Sequence, residues 1–210
     1  GDAEVQDVYC FNAQSGDLLW RREITDVPGS PSDPPAVSSD TGYAAPTVTT
    51  DGKRIFAIFA TGDIACLDMD GTVKWAYNLG VPDNHYGHSS SLIMHEHRLL
   101  VQFDHFGGAE LLALNAADGD TLWETFREID ISWASPMLVQ REVRMQVILT
   151  AAPLVVGFDA ASGERLWQAD CMGGEVGPSP GYADGRVFVA QQYAQAAAID
   201  PAAGSIIWTT

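Results

Sequence analysis

The side chains best suited to chemistry lie in two short stretches. VPDNHYGHSS carries Asp83, His85 and His88, and QFDHFGG carries Asp104 and His105. Imidazole nitrogens and carboxylate oxygens are the donors that zinc and related divalent ions accept, which makes His85, His88, His105 and Asp104 the candidate metal ligands. No compact His-x-His or cysteine motif accompanies them. Solvated loop histidines, some bonded to backbone, are therefore the favoured reading and a metal site the alternative. Tyr43, Tyr86 and Trp133 form a second group, whose rings would stack on a sugar or a protein segment. For Trp133, a plug that packs the rim is favoured over a ligand platform. His95 and His97 form a His-Glu-His pair within a predicted hairpin turn, where an exposed turn is expected. No catalytic residue is identified: Gly-x-Ser-x-Gly, the phosphate-binding glycine loop and His-Glu-x-x-His are all missing from the sequence.

The elements that must position these residues are written five times. CFNAQSGDLLW, CLDMDGTVKW, ALNAADGDTLW, GFDAASGERLW and AIDPAAGSIIW end at Trp20, Trp75, Trp123, Trp167 and Trp208. Each reads as a strand closed by Asp or Asn, a turn at glycine, and a returning strand that ends on tryptophan. Glycine permits the positive φ of the turn, and the Asp or Asn side chain caps it. Successive tryptophans are 55, 48, 44 and 41 residues apart by position. Repetition at that period, in units rich in short strands, marks a β-propeller.

Between the hairpins, APTVTTDGKRIFAIFATGDIACLD and SPGYADGRVFVAQQYAQAAAID each hold three strand-like runs. Asp51-Gly52 and Asp184-Gly185 mark tight turns within them. Each unit thus supplies four antiparallel strands, A to D, with the tryptophan on D. Blades are expected at about 44–78, 89–126, 134–170 and 178–210, with only strands C and D of a first blade at 5–24. That count predicts four and a half blades with an apolar face open at each end. The expectation is a piece of a longer ring, or a chain whose ends are covered by another copy. D-to-A and B-to-C connections emerge on one side of a propeller. That side receives the long loops and the candidate residues, so recognition is expected there.

Composition narrows the function classes. An excess of 28 acidic over 11 basic residues gives a net charge of −17, a field that repels phosphate backbones and argues against nucleic-acid binding. No apolar run is long enough to span a bilayer as a helix. Cys10, Cys66 and Cys171 have neither metal spacing nor an adjacent partner. Cys10 and Cys66 hold matching places in two repeats, where a small buried side chain suffices. The chain opens on Gly1 without a signal-peptide pattern, and its natural start is expected upstream.

The pattern apolar-Asp/Asn-x-x-x-Gly-x-x-apolar-Trp resembles the tryptophan-docking repeat of pyrroloquinoline-quinone-type (PQQ-like) propellers. That family includes quinone-dependent alcohol dehydrogenases, the propeller lipoprotein of the outer-membrane barrel-assembly machinery, and many secreted bacterial proteins. HYGHSSS, DISWASPM and GPSP look most like the secreted group. The resemblance implies that Trp20, Trp75, Trp123, Trp167 and Trp208 lock adjacent blades, that the chain is part of a seven- or eight-bladed ring, and that the protein works in the periplasm or outside the cell. Quinone dehydrogenases hold PQQ and calcium over the ring axis with a catalytic Asp and adjacent cysteines, and this chain matches none of those features. The expected role is therefore a non-catalytic scaffold or binding module without a cofactor. It would recognise protein or glycan through the loop-rich face, or self-associate through open blade ends. The alternative is a fragment of a PQQ-dependent oxidoreductase whose cofactor and calcium ligands lie on other blades.

Overall fold

At the corner of every tryptophan hairpin one side chain organises the backbone. Asp159 Oδ1 accepts hydrogen bonds from the amides of Ala161 and Ser162 at 2.8 and 3.2 Å. Asn12, Asp68, Asn115 and Asp200 hold their own turns in the same way. A competing acceptor at this point ends the strand and fixes the turn. The glycine that follows is left-handed in all five, with φ between 70° and 83° in Gly204 and Gly119 and intermediate values elsewhere.

The computed structural model describes residues 5–39, 41–129, 131–192 and 195–210. Strands β1 (Asp7–Phe11) and β2 (Leu18–Glu23) form a two-stranded sheet. The next sheet is β3 (Thr49–Thr50), β4 (Arg54–Ile58), β5 (Asp63–Asp68) and β6 (Val73–Asn78). The third is β7 (Ile93–His95), β8 (Arg98–His105), β9 (Gly108–Asn115) and β10 (Thr121–Phe126). The fourth is β11 (Met137–Arg141), β12 (Arg144–Thr150), β13 (Leu154–Asp159) and β14 (Arg165–Asp170). The last is β15 (Gly181–Ala183), β16 (Arg186–Ala190), β17 (Ala196–Asp200) and β18 (Ser205–Thr209). Every four-stranded sheet is an antiparallel meander in chain order. This is a partial β-propeller, and we call the sheets blades 1 to 5.

Alternation along each strand supplies the glue. On β8, Leu99, Val101 and Phe103 pack with Phe56, Ile64 and Cys66 of blade 2. Leu100, between them, packs with Val147, Leu149 and Phe158 of blade 4. Both faces of an inner blade are therefore apolar, as in a sheet buried on two sides. Further layers join blades 1 and 2 around Val8, Ala57 and Leu67, and blades 4 and 5 around Ile148, Val155, Val187 and Ile199.

The tryptophans occupy a repeated seat. Opposite them on strand C stand Cys10, Cys66, Ala113, Gly157 and Ala198. A small side chain there lets the indole lie across its own blade, and a bulge beside each pair re-aims the ring. The indole then meets the turn glycine of the following blade. A Cβ on Gly71 would come within 2.9 Å of Trp20, on Gly119 within 3.1 Å of Trp75, and on Gly204 within 3.0 Å of Trp167. Trp20 and Trp75 also donate Nε1–H to the carbonyls of Met69 and Ala116, at 3.0 and 3.3 Å. Trp208 has no following blade in this chain; it packs against Phe188 and stays 41% exposed. The three cysteines are free thiols.

A second repeated contact runs along the starts of the A strands. The Thr47 amide donates to Ser91 Oγ at 3.0 Å, the Ser91 amide to Ser135 Oγ at 2.9 Å, and the Ser135 amide to Ser179 Oγ at 2.9 Å. Each step spans 44 residues. Nearby, Trp133 N–H donates to the Val176 carbonyl at 2.9 Å.

Candidate functional site

The connections on the loop-rich side bring six side chains together. Asn84, His85 and Tyr86 come from the β6–β7 loop, and Phe106 from the β8–β9 turn. Trp133 comes from the β10–β11 loop and Glu175 from the β14–β15 loop. Asn84 is the buried anchor: its Oδ1 accepts from Trp133 Nε1 at 2.8 Å and from the Tyr86 amide at 3.1 Å. That bond fixes the indole against the loop of the preceding blade. His85 stacks on Phe106 with ring centres 5.8 Å apart, and meets Trp133 edge-on at 5.5 Å. Tyr86 meets Trp133 edge-on at 5.1 Å. A further amide bond, from Phe106 N–H to the Asp83 carbonyl at 2.9 Å, holds the two loops in step.

One carboxylate faces these rings. Glu175 approaches Tyr86 Oη at 3.5 Å and His85 Nε2 at 3.9 Å, and its side chain is 63% exposed. Its backbone carbonyl accepts from Gln191 Nε2. A cleft beside the cluster is lined by Phe106, Ile131, Trp133, Gly174 and Glu175.

Of the candidate metal ligands, His88 and His105 share the Phe103 ring. His88 is wholly buried against Phe103, and its Nε2 has no partner. Burial pushes its pKa down to about 4 against an opposing bond from the Ser90 backbone, so the ring is neutral. His105 touches the same phenyl ring from its other neighbour position on β8. Its Nδ1 accepts from the Gly107 amide at 3.1 Å, and burial lowers its pKa as well. Asp104 is committed to Arg127 at 2.5 Å and to Gln102 at 2.7 Å. Burial raises the Asp104 pKa, and the guanidinium and amide offset this only in part. His85 lies out in the aromatic cluster. Among the described residues no three His, Cys, Asp or Glu side chains gather into a metal-holding group. Asp63, the other buried carboxylate near a loop end, is saturated by neutral donors from Gln6, Ser30, Thr61 and Asn78.

Of the candidate aromatics, Tyr86 and Trp133 join the cluster. Tyr43 is half-buried in the β2–β3 loop and receives the Ala60 amide on its backbone carbonyl at 3.0 Å. Sequence reasoning overlooked Phe106, Asn84 and Glu175. Phe106 sits in the quoted QFDHFGG stretch, and its place in a B-to-C turn was the available signal. Nothing in the sequence marks Glu175 out from the chain's other acids.

Comparison with known proteins matches the chain to a family. The profile described as outer membrane protein assembly factor BamB matches residues 3–132 and 152–210. No curated protein sequence matches. Among solved structures, BamB from Moraxella catarrhalis superposes with a TM-score of 0.70 at 16% identity, covering 97% of this chain and 58% of that one. The quinohemoprotein alcohol dehydrogenase from Comamonas testosteroni gives 0.62 at 13% identity, with 80% and 34% covered. A europium-containing methanol dehydrogenase gives 0.57 at 14% identity, with 77% and 40% covered. The chain thus spans less than two thirds of each of these structures, and at these identities the likeness is one of fold. With five tryptophan-and-glycine hairpins and a profile match along most of its length, the chain belongs to the BamB family of PQQ-type repeat propellers.

Proposed function

We propose that this protein is a non-catalytic binding module that recognises a protein segment or a glycan through its loop-rich face. The observation that carries this reading is the convergence of four aromatic rings and one carboxylate from four connections between strands. Partly exposed rings held by a rigid scaffold are what recognition surfaces are made of. The opposite side offers short turns at Gly16, Gly71, Gly119, Gly163 and Gly204. The family description, an outer-membrane assembly factor, supports a protein partner and a place outside the cytoplasm, periplasmic or extracellular. Among the described residues no helix is long and apolar enough to cross a membrane.

Peptide and glycan arrays test this reading. Binders found with the parent chain are expected to be lost with Phe106→Ala and kept with Glu164→Ala on the opposite turns. Equal loss, or no binder at all, would overturn it.

The oxidoreductase alternative rests on the two dehydrogenase superpositions. Adding PQQ with calcium is expected to leave the melting temperature unchanged, because the buried carboxylates Asp63 and Asp104 are committed elsewhere. A rise of several degrees would favour that alternative. Self-association through the end faces is supported by the unseated Trp208 and by the exposed Tyr9, Phe11 and Leu19 of blade 1.

A further inference from the structure

The cleft beside Trp133 has a chemistry more specific than its aromatic lining. Among the described residues its apolar walls are Phe106, Ile131 and Trp133, and its charged wall is Glu175. Gly174, left-handed with φ 64°, turns the chain that presents this carboxylate. The contacts of Glu175 to Tyr86 and His85, at 3.5 and 3.9 Å, lie at or beyond the outer limit of a hydrogen bond. Most of its accepting capacity is therefore unused. Among the described residues no lysine or arginine lines the cleft, and the net charge of −17 draws cations toward it.

Aromatic faces carry negative quadrupole charge, and a cation close to them and to a carboxylate gains from both. An anion would be repelled. A sugar would need several directional polar partners, and beyond the Glu175 carboxylate the nearest side-chain amides have engaged atoms. Asn84 Oδ1 already serves Trp133 and Tyr86, and Gln191 Nε2 serves the Glu175 backbone. The cleft volume of about 380 Å³ is near the small end for ligand sites and suits a single extended side chain.

The geometry points to this cleft as a receptor for the ammonium or guanidinium end of a lysine or arginine presented by a partner segment. The inference rests on the loop-rich face being the binding face. The aliphatic stem would lie along Phe106 and Ile131, with the cationic head between Trp133 and Glu175.

The test follows the Trp133 indole N–H by NMR during titration with N-acetyl-arginine methylamide and N-acetyl-lysine methylamide. N-acetyl-glutamate methylamide and methyl glucoside serve as controls. Saturable shifts with both basic probes in the millimolar range are expected, weakening as salt is added. Glu175→Gln is expected to weaken them about tenfold, the size of one partly exposed charge-assisted contact. Phe106→Leu is expected to weaken them several-fold. Both side chains are exposed, so neither change threatens the fold. Unchanged binding in Glu175→Gln, or tighter binding of methyl glucoside, overturns the assignment. If no probe shifts Trp133 while the arrays still give Phe106-dependent binders, this inference fails and the loop-face reading stands. Silent arrays would remove both.

Discussion

Gly163 lies so close under Trp123 that a Cβ added to it would sit 2.5 Å from the indole and 2.6 Å from Thr125 Oγ1. Gly16 occupies the equivalent turn of blade 1 with nearly the same φ, 78° against 74°, and an added Cβ there meets nothing within 4 Å. The two glycines share a backbone requirement and differ in the Trp123 and Thr125 side chains packed over Gly163. Gly16→Ala is therefore expected to cost about 1–2 kcal/mol, the strain of the left-handed conformation. Gly163→Ala adds overpacking, about 1–3 kcal/mol more. Urea denaturation of the pair isolates the docking contribution, and equal losses would contradict it.

Arg127 and Asp104 form an ion pair with almost no exposed surface, and Arg127 Nε and Nη2 have no partner. Such a pair adds little net stability, but half of it is costly to leave behind. Arg127→Met is expected to destabilise by about 3–5 kcal/mol at neutral pH, and Arg127→Met with Asp104→Leu to recover most of that loss. Burial raises the Asp104 pKa even with the guanidinium in place, and removing that cation raises it further. Protonation then relieves the single variant, so its deficit should shrink as pH falls toward the carboxylate range. Denaturation curves at two pH values check both parts.

His88 gives the opposite sign. Its folded pKa, about 4, lies below the 6.5 of a free imidazole. Between these values the unfolded chain takes up a proton that the buried ring refuses, so stability falls as pH drops through this window. The loss reaches roughly 3 kcal/mol at the lower end. His88→Leu removes the titration and is expected to flatten the pH dependence in that window relative to the parent. Identical slopes would show that His88 is not buried neutral.

Trp208 and the Gly16 turn are the two unused halves of a contact made four times inside the chain. The isolated 210-residue chain is expected to associate head to tail in sedimentation experiments. Trp208→Ala loses the knob and Gly16→Leu fills the hole. Each variant alone should remain monomeric, and an equimolar mixture should form a dimer and nothing larger. Monomer from the parent chain at high concentration would contradict this.

The repeat was legible because it is local. Corner Asp or Asn, glycine and tryptophan lie within eleven residues, and the small residue opposite the indole is fixed by strand register. Cys10 and Cys66, read as small buried side chains, stand across from Trp20 and Trp75. The loop-face chemistry was harder, because it depends on which connections meet in space. QFDHFGG displays Asp104 and His105 as equals of Phe106. Yet the pleat turns Asp104 inward onto Arg127, 23 residues away, and leaves Phe106 60% exposed beside His85. His88 and His85 are three residues apart, and one is sealed in the core while the other is open. Spacing alone carries no sign of that difference.

The serine ladder gives the molecule a direction, as a zipper has. Blades 3 and 4 each offer an amide to the blade after and a hydroxyl to the blade before, and the indole and turn glycine are polarised in the same sense. A segment cut between Ser91 and Ser135 therefore carries one donor, one acceptor, one knob and one socket. Copied in tandem, such a cassette would lengthen the arc by a blade with no junction to redesign; reversed or cut elsewhere, it would present like ends to like.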